Sequence, residues 1–423
     1  MSKPRLLFVT DLTLWPPLSG ASACAYYRLE ALVRQFDVAV VRPVNGSPDQ
    51  GVGPVGDSLA WDLIKPNVFE NQRWEGRYYL LERALTPVAA VASALVAKIR
   101  RFESELQRRV VEFKPELVIF DPGPSIQMLT TIPGILDIPR VCIEYNVEDE
   151  WVRSTLGHGE SVLRRIIVDP LIYFYARNLK GKYYDLLNHS KKCIYISGRD
   201  AEKMAPHLAL TQVAVQPVLI KRPKVFKRDY TSARRIAIMG HSIMGPVATG
   251  AQWFIEEVLK REDVKALNTV LLLQPRMAKG LESVLSGVPF ELLPEGPPDR
   301  IDEALLTADM LVVPLFAGSG IKFKVIFALA LGMPVVATDK ASEGIGIRDG
   351  VDYLHANTAD EFARSVRALT DDEQLRGRIG TAARSYFESE HSIEAAAPRW
   401  IEELNSTLRE VRGGSPAPAA SQP

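Results

Sequence analysis

Cysteine is scarce in this sequence. Cys24, Cys142 and Cys193 are the only three in 423 residues, too few and too widely spaced for a disulfide framework or a thiolate metal site. That scarcity fits a reducing, cytoplasmic setting. An excess of charge is missing too, since 51 Lys and Arg balance 51 Asp and Glu. No global field therefore draws in nucleic acid or an anionic membrane, and a small-molecule partner is expected. The N-terminus enters a β-type run at Leu6 without the apolar stretch of a signal peptide. The longest mainly apolar stretch, Ala84 to Ile99, contains Pro87 and Lys98 and falls short of the roughly 20 residues of a spanning helix. A soluble protein is expected, with at most peripheral contact at the inner face of a membrane. P-loop, H-E-x-x-H, C-x-x-C and G-x-S-x-G motifs are absent as well, which lowers the prospects of an ATPase, zinc protease, redox or α/β-hydrolase reading.

What is present is alternation. Leu6 to Thr10 reads as a buried strand, Trp15 to Ser22 as a Pro/Gly loop, Ala25 to Gln35 as a helix and Val38 to Val41 as a second strand. A long, partly charged helical region lies between Arg73 and Lys114, and strands are expected at Leu117 to Phe120, Arg140 to Ile143 and Cys193 to Ile196. Two stretches, Ile99 to Arg109 and Val162 to Tyr184, mix basic, apolar and aromatic residues; ordinary amphipathic helices are favoured over interfacial ones. The basic segment Val218 to Arg235 lacks apolar periodicity and reads as an interdomain linker. Beyond it strands and helices alternate again from Ile236 through Thr338. The length and the two alternating blocks predict an α/β protein of two doubly wound, Rossmann-like lobes facing a cleft. The divisions are residues 1–217, a linker over 218–235, a second lobe over 236–394, a helix over 395–411 packing back toward the first lobe, and a disordered tail over 412–423.

In such sheets ligands bind outside the carboxyl ends of the strands. The richest loop there follows the strand ending at Pro314, where Gly318-Ser319-Gly320 turns into a helix carrying Lys322 and Lys324. Glycines admit a ligand close to the backbone, and amides of a first helical turn favour an anion such as a diphosphate. Two lysines there oppose the helix dipole. They either reach an anion or extend into water.

The run G-S-G-x-K-x-K-V-x-x-A-L-A-x-G-x-P-V-V-A-T from Gly318 to Thr338, followed by Ser342-Glu343-Gly344-Ile345, resembles the donor-binding signature of the retaining, family-four-like GT-B glycosyltransferases. Ile238-Met239-Gly240, Trp15 to Gly20 and Glu144-Tyr145-Asn146-Val147-Glu148 resemble further parts of that family, so the likeness spans nearly the whole chain and is strongest in its last third. The resemblance implies a cytoplasmic enzyme that moves a sugar from a nucleotide-diphosphate donor to a glycan, lipid-linked or small-molecule hydroxyl acceptor, with retention and without metal or other cofactor. It implies that Gly20 packs against the donor, that Gly320 and Ile321 offer amides, and that Lys322 and Lys324 offset diphosphate charge. Ser319 and Gly240 belong to the same donor site. His241 and Arg276 are cationic candidates near it, each with an ordinary structural or surface role as the alternative. Glu343 could meet a donor or acceptor hydroxyl or stand in water, and Tyr145 takes the place where many relatives carry a histidine. Asn146 and Glu148 fall on the acceptor side.

One departure bears on activity. Relatives carry two glutamates eight positions apart, the second on the nucleotide ribose, and this chain has Ser319 and Phe327 there. Phenylalanine cannot accept a hydroxyl hydrogen bond. The alternative is therefore a GT-B protein that acts as a binding or assembly partner of an active transferase.

Overall fold

The computed structural model describes residues 2–15, 17, 19–43, 52–65, 93–122, 125, 134–147, 150, 181, 183–223, 228–231, 234–240, 245–294, 304–318 and 320–413. Residues 66–92, which hold part of the helical region expected between Arg73 and Lys114, and 151–180, which hold most of the stretch Val162 to Tyr184, lie outside them, as do His241, Ser319 and Glu148.

Among the described residues the first lobe is built on seven strands, β1 Arg5–Val9, β2 Asp37–Pro43, β3 Trp61–Lys65, β4 Leu117–Phe120, β5 Arg140–Glu144, β6 Lys192–Tyr195 and β7 Gln212–Val215. They pair in the order β3-β2-β1-β4-β5-β6-β7, every neighbour parallel. The inner strands are runs of Leu, Val, Ile and Phe buried along their length, as a sheet covered on both faces requires. The second lobe pairs β8 Arg235–Ile238, β9 Val270–Leu273, β10 Phe290–Leu292, β11 Met310–Val313, β12 Val335–Ala337 and β13 Leu354–His355 in the order β10-β9-β8-β11-β12-β13, again all parallel. In both sheets the winding reverses beside the first strand, between β1 and β4 and between β8 and β11. At each reversal the loops leave in opposite directions and open a crevice at the strand ends.

Helices cover the sheets and carry chain across. α1 (Gly20–Leu32) is capped by Ser19, whose Oγ accepts from Ser22 N at 3.1 Å. α2 spans Ser93–Phe113, and α3 (Gly198–Met204) follows β6. In the second lobe come α4 (Pro246–Phe254), α5 (Pro275–Gly280), α6 (Phe323–Ala330), α7 (Asp339–Ser342), α8 (Ala359–Asp371), α9 (Glu373–Glu390) and α10 (Ile393–Gly413). α6 is almost wholly apolar apart from Lys324, as suits a helix buried between lobes, and it ends before Gly332 and Pro334, residues that stop a helix. α8 starts on a reciprocal cap between Thr358 and Glu361. Among the described residues no helix is long and apolar enough to cross a membrane.

Apolar side chains gather in three clusters. One fills the outer side of each sheet, and the third runs continuously from β1, β4 and α1 of the first lobe to β11, α6 and β12 of the second. α10 belongs to this shared cluster. Its Trp400 is fully buried, donates Nε1–H to Pro217 O at 2.8 Å and lies under the Arg28 guanidinium at 4.0 Å. Lys192 meets Glu403 at 2.5 Å and Arg412 meets Glu116 at 2.7 Å, tying the same helix to the first sheet. The chain thus crosses between lobes near Ile220 and again near Ser392. These two crossings lie side by side, with Ile220 N donating to His391 O at 2.9 Å.

Candidate functional site

The loop between β11 and α6 rises from the reversal point of the second sheet and meets the first lobe directly. Gly320 has a φ of +69°, and a Cβ placed on it would stand 2.1 Å from Asn146 Oδ1 and 2.6 Å from Tyr145 O. Both the left-handed backbone and the absent side chain are therefore required. Gly20 makes the reciprocal approach from the first lobe, since a Cβ there would fall 2.4 Å from the Phe323 side chain. The Tyr145 and Phe323 rings, 6.1 Å apart between centroids, complete this contact. Gly20, Tyr145, Asn146, Gly320 and Phe323 at the start of α6, far apart in sequence, are brought together.

Lys322 and Lys324 lie at the heart of it. Lys322 donates Nζ–H to Gly320 O at 2.5 Å; burial, and then the nearby Lys340, pull its pKa down to about 8, against the pull of Asp200. Lys324 donates to Met239 O at 2.6 Å, spanning from α6 to the end of β8, and burial with the neighbouring Lys322 brings it also to about 8. Two partly desolvated ammonium groups thus lie beside the reversal point. Ile321, between the glycine turn and these lysines, is buried. Gly240, at the end of β8, donates its N–H to Gln274 Oε1 at 2.9 Å. Arg276, next along in the first turn of α5, is exposed.

Glu343 closes α7 and is largely buried. Lys340 Nζ reaches it at 2.6 Å and Arg199, from α3 of the first lobe, pairs with it across the cleft. Tyr145 is differently committed. Its hydroxyl donates to Asp121 Oδ1 at 2.8 Å and accepts from Arg28 Nη1 at 3.2 Å, with Arg28 and Asp121 themselves paired and fully buried. Burial holds its phenol well above the usual range. The hydroxyl is thus engaged inside the first lobe, and it is the ring that faces Phe323. Phe327, further along α6, is half-buried and packs against the shared apolar cluster.

Sequence reasoning overlooked Arg28, Asp121, Ser197, Arg199, Asp200 and Lys340. Ser197-Gly198-Arg199-Asp200 directly follows the strand ending at Tyr195, so the rule that sites lie past strand ends would have found it. Nothing in the local sequence marks Arg28.

Residues 234–372 match the profile of a family described as Glycosyl transferases group 1. The two lobes together match solved structures over nearly the whole chain: sucrose-phosphate synthase of Thermosynechococcus elongatus, at 12% identity and a TM-score of 0.68, with 95% of this chain and 98% of that one covered. The chain has the GT-B fold. Other GT-B neighbours are HepE of Anabaena, solved with UDP and glucose, at 12% identity and a TM-score of 0.64, covering 95% of this chain and 100% of that one. WaaG, described as a glycosyltransferase involved in lipopolysaccharide biosynthesis, matches at 13% identity and 0.56, covering 97% and 100%. No curated protein matches by sequence. The profile match covers the GT-B lobe that carries Gly320, Lys322, Lys324 and Glu343.

Proposed function

We propose that the protein is a glycosyltransferase that moves a sugar from a nucleotide-diphosphate sugar to a hydroxyl of a glycan, lipid-linked or small-molecule acceptor, with retention and without a metal ion. The observation that carries this reading is the pair Lys322 and Lys324, half-buried at the start of α6 and brought to about 8 by their surroundings. A diphosphate between the lobes meets both cations at once, and Gly320 with Ile321 offers backbone amides beside it. The family profile over this lobe and the nucleotide-bound HepE structure support the same class of donor. Glu343, held from both lobes, contacts the donor sugar in this reading; Asn146 and Glu148 stand on the acceptor side, and the reaction takes place in the cytoplasm with peripheral contact at the membrane. Arg276, exposed in the first turn of α5, and His241 are the further cationic groups assigned to the nucleotide in this reading.

A second reading is favoured by one feature. Phe327 packs into apolar surroundings where the resembling family presents a ribose-binding glutamate, which suits a chain that binds partners instead of turning over a donor. Titrating the purified protein with UDP-, GDP-, ADP- and dTDP-sugars and following sugar release separates the two. Binding with turnover, with the anomer retained, is expected. Binding without turnover in the presence of an accepted acceptor favours the second reading, and failure of every nucleotide to bind removes the first.

A further inference from the structure

The basic linker between the lobes has no part in the reading above, yet its described residues grip the unit formed by β11, the glycine turn and α6. Arg228 reaches both ends of that unit. Its Nε donates to Leu331 O at 3.0 Å, just past α6, while Nη2 donates to Leu305 O at 3.2 Å and Nη1 to Ala308 O, both shortly before β11. Tyr230 donates its hydroxyl to Gly332 O at 2.9 Å. Asp309 Oδ2, at the entrance to β11, accepts from the N–H groups of Arg234 and Arg235 at 2.7 Å each. With Arg384 on Ala330 O, the carbonyls of three successive residues at the end of α6 all have side-chain donors, where a helix leaves such groups unpaired. α6 already has a glycine stop in Gly332, with a φ of +60°. The linker's donors are therefore more than the helix needs in order to end.

We propose that Arg228 is a positioning residue of the donor site, which by tying Leu305 and Ala308 to Leu331 fixes where the turn from Gly320 to Lys324 meets the diphosphate. This rests on the glycosyltransferase reading and deepens it. Arg228 touches no substrate and acts through α6. That helix has eight residues and is about 12 Å long, so a shift at its Leu331 end is carried to Phe323 and Lys324 at the other. The turn has little room to move, since a Cβ on Gly320 would stand 2.1 Å from Asn146 Oδ1. A misplacement of about 1 Å from a change far from a binding group can cost about a hundredfold, and a site is only as exact as the residues that hold its supports. A planar guanidinium with five donors spans three carbonyls that the point charge of a lysine cannot hold together. Burial lowers the Arg228 pKa to about 10, with Tyr230 and Asp309 opposing, so the clamp stays charged at neutral pH.

The test uses the full-length chain with Arg228→Lys and, as the milder change, Tyr230→Phe. UDP, GDP, ADP and dTDP are the binding probes, read by calorimetry at a temperature where circular dichroism shows each variant folded. Amide hydrogen exchange of the same samples without nucleotide reads the turn. Arg228→Lys should bind the diphosphate that the unaltered protein prefers about tenfold less tightly, and Tyr230→Phe about threefold less tightly. Exchange from Gly320 to Lys324 should quicken about tenfold in Arg228→Lys while β8 and β9 stay within about twofold. A merely structural residue would quicken exchange throughout the second lobe and leave the affinity of the folded molecules unchanged. Diphosphate affinity within about twofold in Arg228→Lys, or exchange in β8 and β9 that quickens as much as the turn, overturns the assignment. Should Arg228→Lys not fold, Tyr230→Phe decides, and an unchanged affinity there overturns it. An unaltered protein that binds no nucleotide fails the glycosyltransferase reading itself, and this assignment falls with it.

Discussion

Raising the pH should release a nucleoside diphosphate from this protein over a narrow and unusual range. Lys322 and Lys324 each titrate at about 8, depressed chiefly by burial. A bound diphosphate favours the ammonium forms, so the two lysines take up protons when it binds. The sign follows directly. Below about 8 both cations are present and binding is strong, whereas above it they are lost in the free protein and binding weakens. The charged fraction of each lysine falls about tenfold between pH 7 and pH 9, which is about 1.4 kcal/mol per lysine and roughly a hundredfold in affinity for the pair. Isothermal titration with the preferred diphosphate at both pH values reads this out. Lys324→Met, which keeps the length of the buried chain, should lower the affinity at pH 7 and reduce the pH effect to about tenfold, one lysine's share. An affinity that changes less than threefold across this range, or an undiminished slope in Lys324→Met, would show that these lysines do not hold the diphosphate.

Three further outcomes are expected. Trp400→Ala should destabilise the protein by about 3–5 kcal/mol, since it empties a buried site and uncovers the Arg28 guanidinium; denaturant unfolding measures it. Tyr145→Phe should cost about 1.5–3 kcal/mol by removing a hydrogen bond to a buried carboxylate, yet leave diphosphate affinity within about twofold because the hydroxyl lies away from the lysines. His391, buried and donating toward Val218 O, has its pKa lowered to about 4. A neutral native histidine that charges on unfolding gives stability that is complete above its unfolded pKa of about 6.5 and is lost as pH falls toward 4, by up to about 3 kcal/mol. His391→Gln should flatten that acid limb in thermal melts, and an unchanged limb would assign the loss to other groups.

The interior of the fold was legible because parallel strands buried on both faces are continuous apolar runs. Leu6 to Thr10, Leu117 to Phe120 and Arg140 to Ile143 appear as β1, β4 and β5 within a residue. The strands passed over, β3, β7 and β13, lie at sheet edges, where Trp61-Asp62-Leu63 and Gln212-Val213 mix polar residues into the run and Leu354–His355 is only two residues long. α5 starts at Pro275 and ends at Gly280, because proline at the first turn and glycine at the end set its limits. The glycine turn and its lysines could be read from local spacing. What surrounds Tyr145 could not be, since its hydroxyl is engaged by Arg28, 117 positions away, and by Asp121, 24 away. Those partners are chosen by the sheet order, which places the ends of β4 and β5 side by side over α1.

The two crossings near Ile220 and Ser392 have a mechanical consequence. A single connecting strand would let the lobes swivel about it in any sense. Two connecting segments lying abreast and joined by the Ile220 to His391 hydrogen bond resist relative twisting more than one would. Any opening of the cleft is therefore expected to follow a clamshell path that keeps Gly320 in line with Asn146.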